Sequence, residues 1–165
     1  EAFMDVGPAD ASLAGAVTRP NIVVLRSFGK FFGLAGLRLG FALAAPELAA
    51  RLRASLGPWA VSGPAIAIGE RALADAAWSE STRTRLAATA RWLDGLLTGA
   101  GLEVAGGTSL FRLVRTARAN ELFERLGRAG ILVRRFAGQP TWLRFGLPHN
   151  EAEWERLAAA LADRP

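Results

Sequence analysis

The chain has 165 residues, about half of them apolar, and a formal net charge of +5. That length suits one ordinary domain or two small lobes with a sizeable core, and no uncharged apolar run reaches the roughly eighteen residues of a membrane span. Cysteine and tyrosine are absent and His149 is the sole histidine, which excludes disulfides, thiolate and phenolic catalysis and a histidine-rich metal cluster, and fits a reducing cytoplasm.

Glu1 to Val6 reads as the end of a strand, and the acidic start at Glu1 and Asp5 lacks the basic-then-apolar pattern of a signal peptide. Asn21 to Arg26 is a β-branched apolar run expected to be a strand buried on both faces. A second strand is expected over Leu39 to Ala44. The segment between them is too short for a crossover helix, so the two strands are antiparallel or joined by an irregular loop. Pro46 opens a helix with Leu48, Leu52 and Leu56 on one stripe, ending at Gly57-Pro58. A second helix starts near Pro64 and runs through Ile66, Ile68 and Leu73. A longer one spans about Trp78 to Leu97, and Gly99 and Gly101 stop it.

The remainder reads as a small α+β unit. Strands are expected at Leu102 to Val104, Leu110 to Val114, Ile131 to Arg134 and Trp142 to Phe145, with Gly106-Gly107-Thr108 as a turn. Asn120 is expected to cap a helix that buries Leu122, Phe123 and Leu126. The last helix starts at Asn150, with Glu153 three residues on as in a capping box and Trp154, Leu157, Ala158 and Leu161 as its stripe. This order suggests a small sheet with helices on one face.

Nineteen arginines accompany a single lysine, Lys30. The arginines are interleaved with Glu and Asp through 118–128 and 151–164, without a block of like charges. They read as solvated helix faces rather than a nucleic-acid surface, so a non-catalytic basic binding fragment is only the remote alternative. The lysine is another matter. Arginine stays protonated, whereas a lysine amine can act as a nucleophile and form a Schiff base. Lys30 sits in Ser27-Phe28-Gly29-Lys30-Phe31-Phe32-Gly33-Leu34-Ala35-Gly36-Leu37-Arg38-Leu39-Gly40. A hydroxyl at Ser27 and a guanidinium at Arg38 suit a phosphate monoester, and the glycines let backbone approach a ligand. Phosphate and aldehyde on one cofactor mean pyridoxal 5′-phosphate.

The segment S-x-x-K-x-x-G-L-x-G-L-R-x-G closely resembles the cofactor-lysine signature of fold-type-I pyridoxal-phosphate enzymes, the aspartate aminotransferase superfamily. Glu1-Ala2-Phe3 is similar to the tail of the superfamily's D-E-A-[YF] segment, and Trp142-Leu143-Arg144-Phe145-Gly146 to its C-terminal arginine strand. Within the superfamily, Gly57-Pro58-Trp59-Ala60-Val61-Ser62 and W-L-R-F-G-L-P are most similar to the threonine-phosphate decarboxylases of cobalamin biosynthesis, with the histidinol-phosphate aminotransferases next.

The resemblance implies an α/β fold: residues 1–77 as the C-terminal portion of the cofactor-binding large domain, 78–98 as a connecting helix and 99–165 as a small α+β domain. It implies Lys30 as the Schiff-base lysine and proton carrier, Ser27 and Arg38 on the cofactor phosphate, Arg144 on the substrate α-carboxylate and, more weakly, Arg134 on a substrate phosphate. It implies no metal, a small phosphorylated amino-acid substrate, a homodimer and no membrane or nucleic-acid partner. Trp59 reads as a core tryptophan, with packing near the substrate as the alternative, and His149 receives no role. Phe3 stands where many relatives carry a tyrosine that hydrogen-bonds the cofactor's phenolic oxygen, so that bond is expected to be absent. The superfamily's aspartate for the pyridinium nitrogen falls immediately before Glu1, so the chain is expected to be the C-terminal part of a longer enzyme, incompletely active alone.

Overall fold

In the computed structural model, which describes residues 1–162, the chain divides into two units, Glu1–Ser81 and Thr82–Pro165. Residues 163–165 of the expected C-terminal domain lie outside the described residues.

The first unit is built on a short antiparallel pair, β1 (Val24–Ser27) and β2 (Gly40–Leu43), in the register Val24↔Leu43 to Ser27↔Gly40. The expected antiparallel pairing is therefore present. Burial on both faces is not, because Val24 is buried while Leu25 is 62% exposed. In this two-stranded sheet only one face of β1 finds apolar partners. The opening residues do not form a strand either. A 3₁₀ turn runs over Met4–Val6, and the Glu1 carboxylate accepts hydrogen bonds from the Leu13 N–H (2.6 Å) and the Ser12 hydroxyl (2.9 Å). Those bonds fold the segment back on the turns that follow.

Three helices come next. Helix α1 (Pro46–Leu56) has proline in its first turn, where the missing N–H costs nothing. Helix α2 (Gly63–Ala74) is capped by Ser62, whose hydroxyl accepts from the Ala65 N–H at 3.3 Å. Helix α3 (Ala76–Gly99) opens where Asp75 Oδ1 accepts from the Trp78 N–H at 2.9 Å, and it continues into the second unit. No helix among the described residues is long and apolar enough to cross a membrane.

The second unit holds a four-stranded antiparallel sheet in the order β3-β4-β6-β5. Its strands are β3 (Glu103–Thr108), β4 (Phe111–Arg115), β5 (Arg134–Phe136) and β6 (Gln139–Gly146). Period-two alternation sends Val114, Leu143 and Phe145 to one face, where all three are buried. They join Leu93 and Leu97 of α3, Leu122 and Leu126 of α4 (Ala119–Arg128), and Leu157 and Leu161 of α5 (Glu151–Ala162) in a single core. Each fully buried leucine contributes about 1.5–3 kcal/mol. The opposite face carries Phe111, Leu113, Trp142 and Arg144.

Four local expectations are corrected here. Gly106 and Gly107 belong to β3 rather than to a turn, and the bulge between Val104 and Gly106 makes room for them. The reversal falls at Thr108–Leu110, where Thr108 Oγ1 accepts from the Leu110 N–H. Helix α4 starts at Ala119, one residue before Asn120, and has no side-chain cap. Its entry is set instead by Thr116 Oγ1, which accepts from the Arg118 N–H, and by a two-pronged Arg118–Glu121 pair. Residues Ile131 to Val133 close this helix, because the Ile131 N–H returns to the Leu126 carbonyl at 2.8 Å, so β5 begins only at Arg134. Trp59, expected in the core, is 96% exposed on the link between α1 and α2. It holds a left-handed backbone with φ of 62° in the turn that joins the two helices. The capping box at α5 is present: Asn150 Oδ1 accepts from the Glu153 N–H, and Glu153 reaches back to the His149 N–H.

Two glycine substitutions should move stability in opposite directions. At Gly107 φ is +142°, and an added Cβ would collide with the Phe111 carbonyl oxygen and lie 3.0 Å from Arg112 Cα. Gly107→Ala is expected to destabilise by about 1–3 kcal/mol. Gly127, inside α4, has open space around the same position, so Gly127→Ala is expected to stabilise by up to about 1 kcal/mol. Denaturant titration of both variants checks the two signs.

Candidate active site

In the first unit the chemistry-bearing residues share one loop. Strand β1 ends at Ser27 and β2 begins at Gly40, directly across the ladder. The Phe28 N–H donates to the Leu39 carbonyl at 3.3 Å, so residues 28–39 leave and return at one point. Inside the loop the Leu34 N–H donates to the Phe28 carbonyl and the Gly33 N–H to the Lys30 carbonyl, both at 3.1 Å. Gly29 permits this closure, since a Cβ there would sit 3.1 Å from Ala35 Cα and 3.2 Å from its Cβ.

Ser27 Oγ accepts the Gly29 N–H at 3.3 Å, which leaves its own hydrogen free to donate outward. Lys30 is exposed, with its Nζ 5.7 Å from the centre of the Phe3 ring. Arg38 is exposed and takes a left-handed conformation with φ of 53°. Its Nη1 donates to the Ala35 carbonyl at 3.0 Å, a short-range bond to its own loop. Non-glycine residues held at positive φ recur at ligand sites, because the surroundings must sustain the strain. A cavity of about 320 Å³ opens beside Ser27, lined by Asp5, Arg26, Phe28, Phe32, Phe41 and Leu73 among others. At its rim Arg26 pairs with Asp5 at 2.6 Å.

A hydroxyl at the end of β1 and, on the loop that follows, the chain's one lysine amine and a guanidinium thus lie along one short segment whose glycine lets its two limbs close tightly. That donor set fits a ligand bearing both a phosphate and an aldehyde.

In the second unit Arg144 on β6 and Arg134 on β5 are Cα partners in the antiparallel register, so both side chains leave the same face of the sheet. The Arg144 guanidinium lies over the Phe111 ring at 5.0 Å, and that of Arg134 over Phe136 at 5.6 Å. Neither has a carboxylate partner among the described residues. Nearby arginines do: Arg112 pairs with Asp94, Arg115 with Glu103 and Arg118 with Glu121. Like charges directly opposite on a sheet repel each other. Leaving such a pair without an acid suits a face that receives anionic groups from a ligand.

The five residues singled out in the sequence therefore fall into two groups, Ser27, Lys30 and Arg38 on one loop and Arg134 and Arg144 on one ladder rung. Sequence reasoning missed Phe111 and Phe136, the rings beneath the two arginines. The alternation of β4, with Phe111 and Leu113 opposite a buried Val114, was the available signal for Phe111.

The family model for aminotransferase class I and II matches residues 1–161. The chain belongs to the class I and II aminotransferase family. Among curated members it is 49% identical over 161 residues to the threonine-phosphate decarboxylase of Pseudomonas aeruginosa, covering 98% of this chain and 48% of that protein. It is 36% identical over 150 residues to the histidinol-phosphate aminotransferase of Symbiobacterium thermophilum, covering 87% of this chain and 42% of that one. The structure of histidinol-phosphate aminotransferase from Sinorhizobium meliloti, solved with pyridoxal-5′-phosphate, superposes with a TM-score of 0.83 at 27% identity, covering 98% of this chain and 46% of that one. The chain spans about half the length of the curated relatives it matches. The family is pyridoxal-phosphate-dependent, its members here are enzymes, and the fold of this chain is the mixed α/β fold of those aminotransferase structures.

Loop closure at Gly29 is open to direct measurement. Gly29→Ala forces the Ala35 limb to shift by a few tenths of an ångström. Amide exchange at Leu34, whose N–H bonds the Phe28 carbonyl, is expected to accelerate about tenfold in NMR while exchange in the second unit is unchanged.

Proposed function

We propose that this chain is the C-terminal part of a pyridoxal-phosphate-dependent decarboxylase. It converts L-threonine O-3-phosphate to (R)-1-aminopropan-2-yl phosphate and carbon dioxide, as a cytoplasmic homodimer in cobalamin biosynthesis. The observation that carries the reading is the Arg134–Arg144 rung, two acid-free guanidiniums on one sheet face. A substrate with a carboxylate at one end and a phosphate at the other presents two anions to such a pair. The 49% identity to a threonine-phosphate decarboxylase adds support, although it reaches over only half of that protein. The absence of cysteine fits a reducing compartment. Apolar side chains such as Leu56, 70% exposed, and Trp59 fit burial within a larger assembly.

The cofactor, when bound, supplies an electron sink for the pair of electrons released at the substrate α-carbon. The chain supplies the rest. Ser27 donates to the cofactor phosphate and Arg38 pairs with it. Lys30 would hold the cofactor through its amine and would carry a proton to or from the substrate α-carbon. Arg144 binds the α-carboxylate and Arg134 the substrate phosphate. Residues 1–77, 78–98 and 99–165 then serve as the end of the cofactor domain, a connecting helix and the substrate-facing domain.

The second reading is a histidinol-phosphate-type aminotransferase, favoured by the 36% identity to such an enzyme. A carboxylate bound by Arg144 would serve either reaction, because both start from an α-amino acid held by its carboxylate. The test is full-length enzyme incubated with threonine phosphate. Carbon dioxide release with the cofactor returned unchanged is expected. Conversion of the cofactor to its amine form without carbon dioxide would move the assignment to the aminotransferase. Lys30→Arg should abolish borohydride trapping of the cofactor. Arg134→Gln should raise KM for threonine phosphate about a hundredfold with a much smaller effect on kcat.

A further inference from the structure

The side chain of Lys30 is exposed, and apart from the Phe3 ring at 5.7 Å it has no partner among the described residues. The backbone alone therefore fixes where this side chain starts, and that backbone is held by rings. Phe28 is 2% and Phe31 4% exposed. Phe28 stacks on Phe32 with centroids 4.3 Å apart and planes at 11°. Phe31 meets Phe32 edge-on at 5.1 Å, and Phe41 of β2 tilts against Phe28 at 5.7 Å. These four rings all belong to the β1–β2 hairpin and its loop.

The fifth ring does not. Trp78, in the first turn of α3, stacks on Phe32 at 5.8 Å with planes at 14° and meets Phe31 edge-on at 5.4 Å. Its own backbone is pinned, since the Trp78 N–H donates to Asp75 Oδ1 at 2.9 Å. Phe28, Phe32 and Trp78 form a continuous stack, with Phe31 wedged edge-on against Phe32 and Trp78. Offset-stacked and edge-on pairs have orientational preferences that an aliphatic side chain of similar bulk lacks. Because Lys30 directly precedes Phe31, a shift of the backbone that carries that ring also shifts the root of the lysine side chain.

We propose that Trp78 is a positioning residue for Lys30: by clamping Phe31 and Phe32 against α3 it sets the direction in which the lysine amine is presented to a carbonyl ligand. The inference rests on the pyridoxal-phosphate reading above and makes no use of which substrate follows.

The test compares full-length wild type with Trp78→Phe, which keeps a ring, and Trp78→Leu, which keeps apolar bulk alone. Initial rates of borohydride trapping of pyridoxal phosphate at Lys30 are read by peptide mass spectrometry. They are set beside kcat, KM, the pH midpoint of the cofactor's visible absorbance and the thermal midpoint. Trp78→Leu is expected to slow trapping and lower kcat three- to tenfold with KM nearly unchanged and to shift the pH midpoint, while Trp78→Phe recovers most of each. Equal thermal losses in both variants, with trapping and kcat per folded molecule at the wild-type level, would reduce Trp78 to ordinary packing and overturn the proposal. Should Trp78→Leu fail to fold, Phe32→Leu interrupts the same stack from the loop side and must give the same slowing. Wild type that cannot be trapped at Lys30 at all sinks the cofactor reading itself, an outcome separate from trapping that is insensitive to Trp78.

Discussion

A loop that leaves and returns at one rung of a two-stranded ladder is the constraint on which the lysine's chemistry depends. Ser27 and Gly40 are paired, and the Phe28 N–H closes the base of the loop on the Leu39 carbonyl. Everything between them must fit above that rung. The two limbs approach so closely at Gly29 and Ala35 that a methyl group would not fit without a shift. Apolar rings pack within the hairpin, while Lys30 and Arg38 are exposed on the loop and Ser27 is half-buried at its base. Lys30 is thereby an exposed amine rooted on a closed loop.

Charge balance shapes the second unit in a comparable way. Arg112, half-buried on the helix side of the sheet, is matched by Asp94 of α3 at 2.6 Å. Arg115 and Arg118 sit on more exposed ground, each with its own glutamate. Arg134 and Arg144 instead face each other across β5 and β6 with aromatic rings beneath them. A ring face attracts a cation without neutralising it. The guanidinium is steadied while its hydrogen-bonding edge and its charge stay available. The backbone that carries Phe111 is in turn fixed by the tight β3–β4 reversal, where Gly107 passes too close to Phe111 for any side chain.

Much of this was legible from residue order. The spaced S-x-x-K-x-x-G-L-x-G-L-R-x-G segment pointed to the family, and the periodic stripe of α5 pointed to Leu157 and Leu161, both buried. What failed did so where two local signals competed. Asn120 has the chemistry of a cap, but the Thr116 turn and the Arg118–Glu121 pair start α4 earlier. Gly106-Gly107 has the composition of a turn, yet cross-strand pairing with Arg112 and Leu113 draws both glycines into β3. Ile131 to Val133 has the composition of a strand, but its first N–H is taken by the end of α4. Trp59 has the size of a core residue and lies on a link with no core to enter.

The sequence by itself determined the chemical inventory and the family. A lone lysine among arginines, a serine three residues before it and an arginine eight after it follow from residue types and spacing in a single short segment. The tertiary structure alone decided which distant residues lie side by side. Arg134 and Arg144 become partners only through the antiparallel register of β5 and β6, and Trp78 reaches the lysine loop only because the hairpin folds its rings against the start of α3. Spacing along a chain reports local geometry, whereas register and ring stacking arise from contacts between segments far apart in sequence.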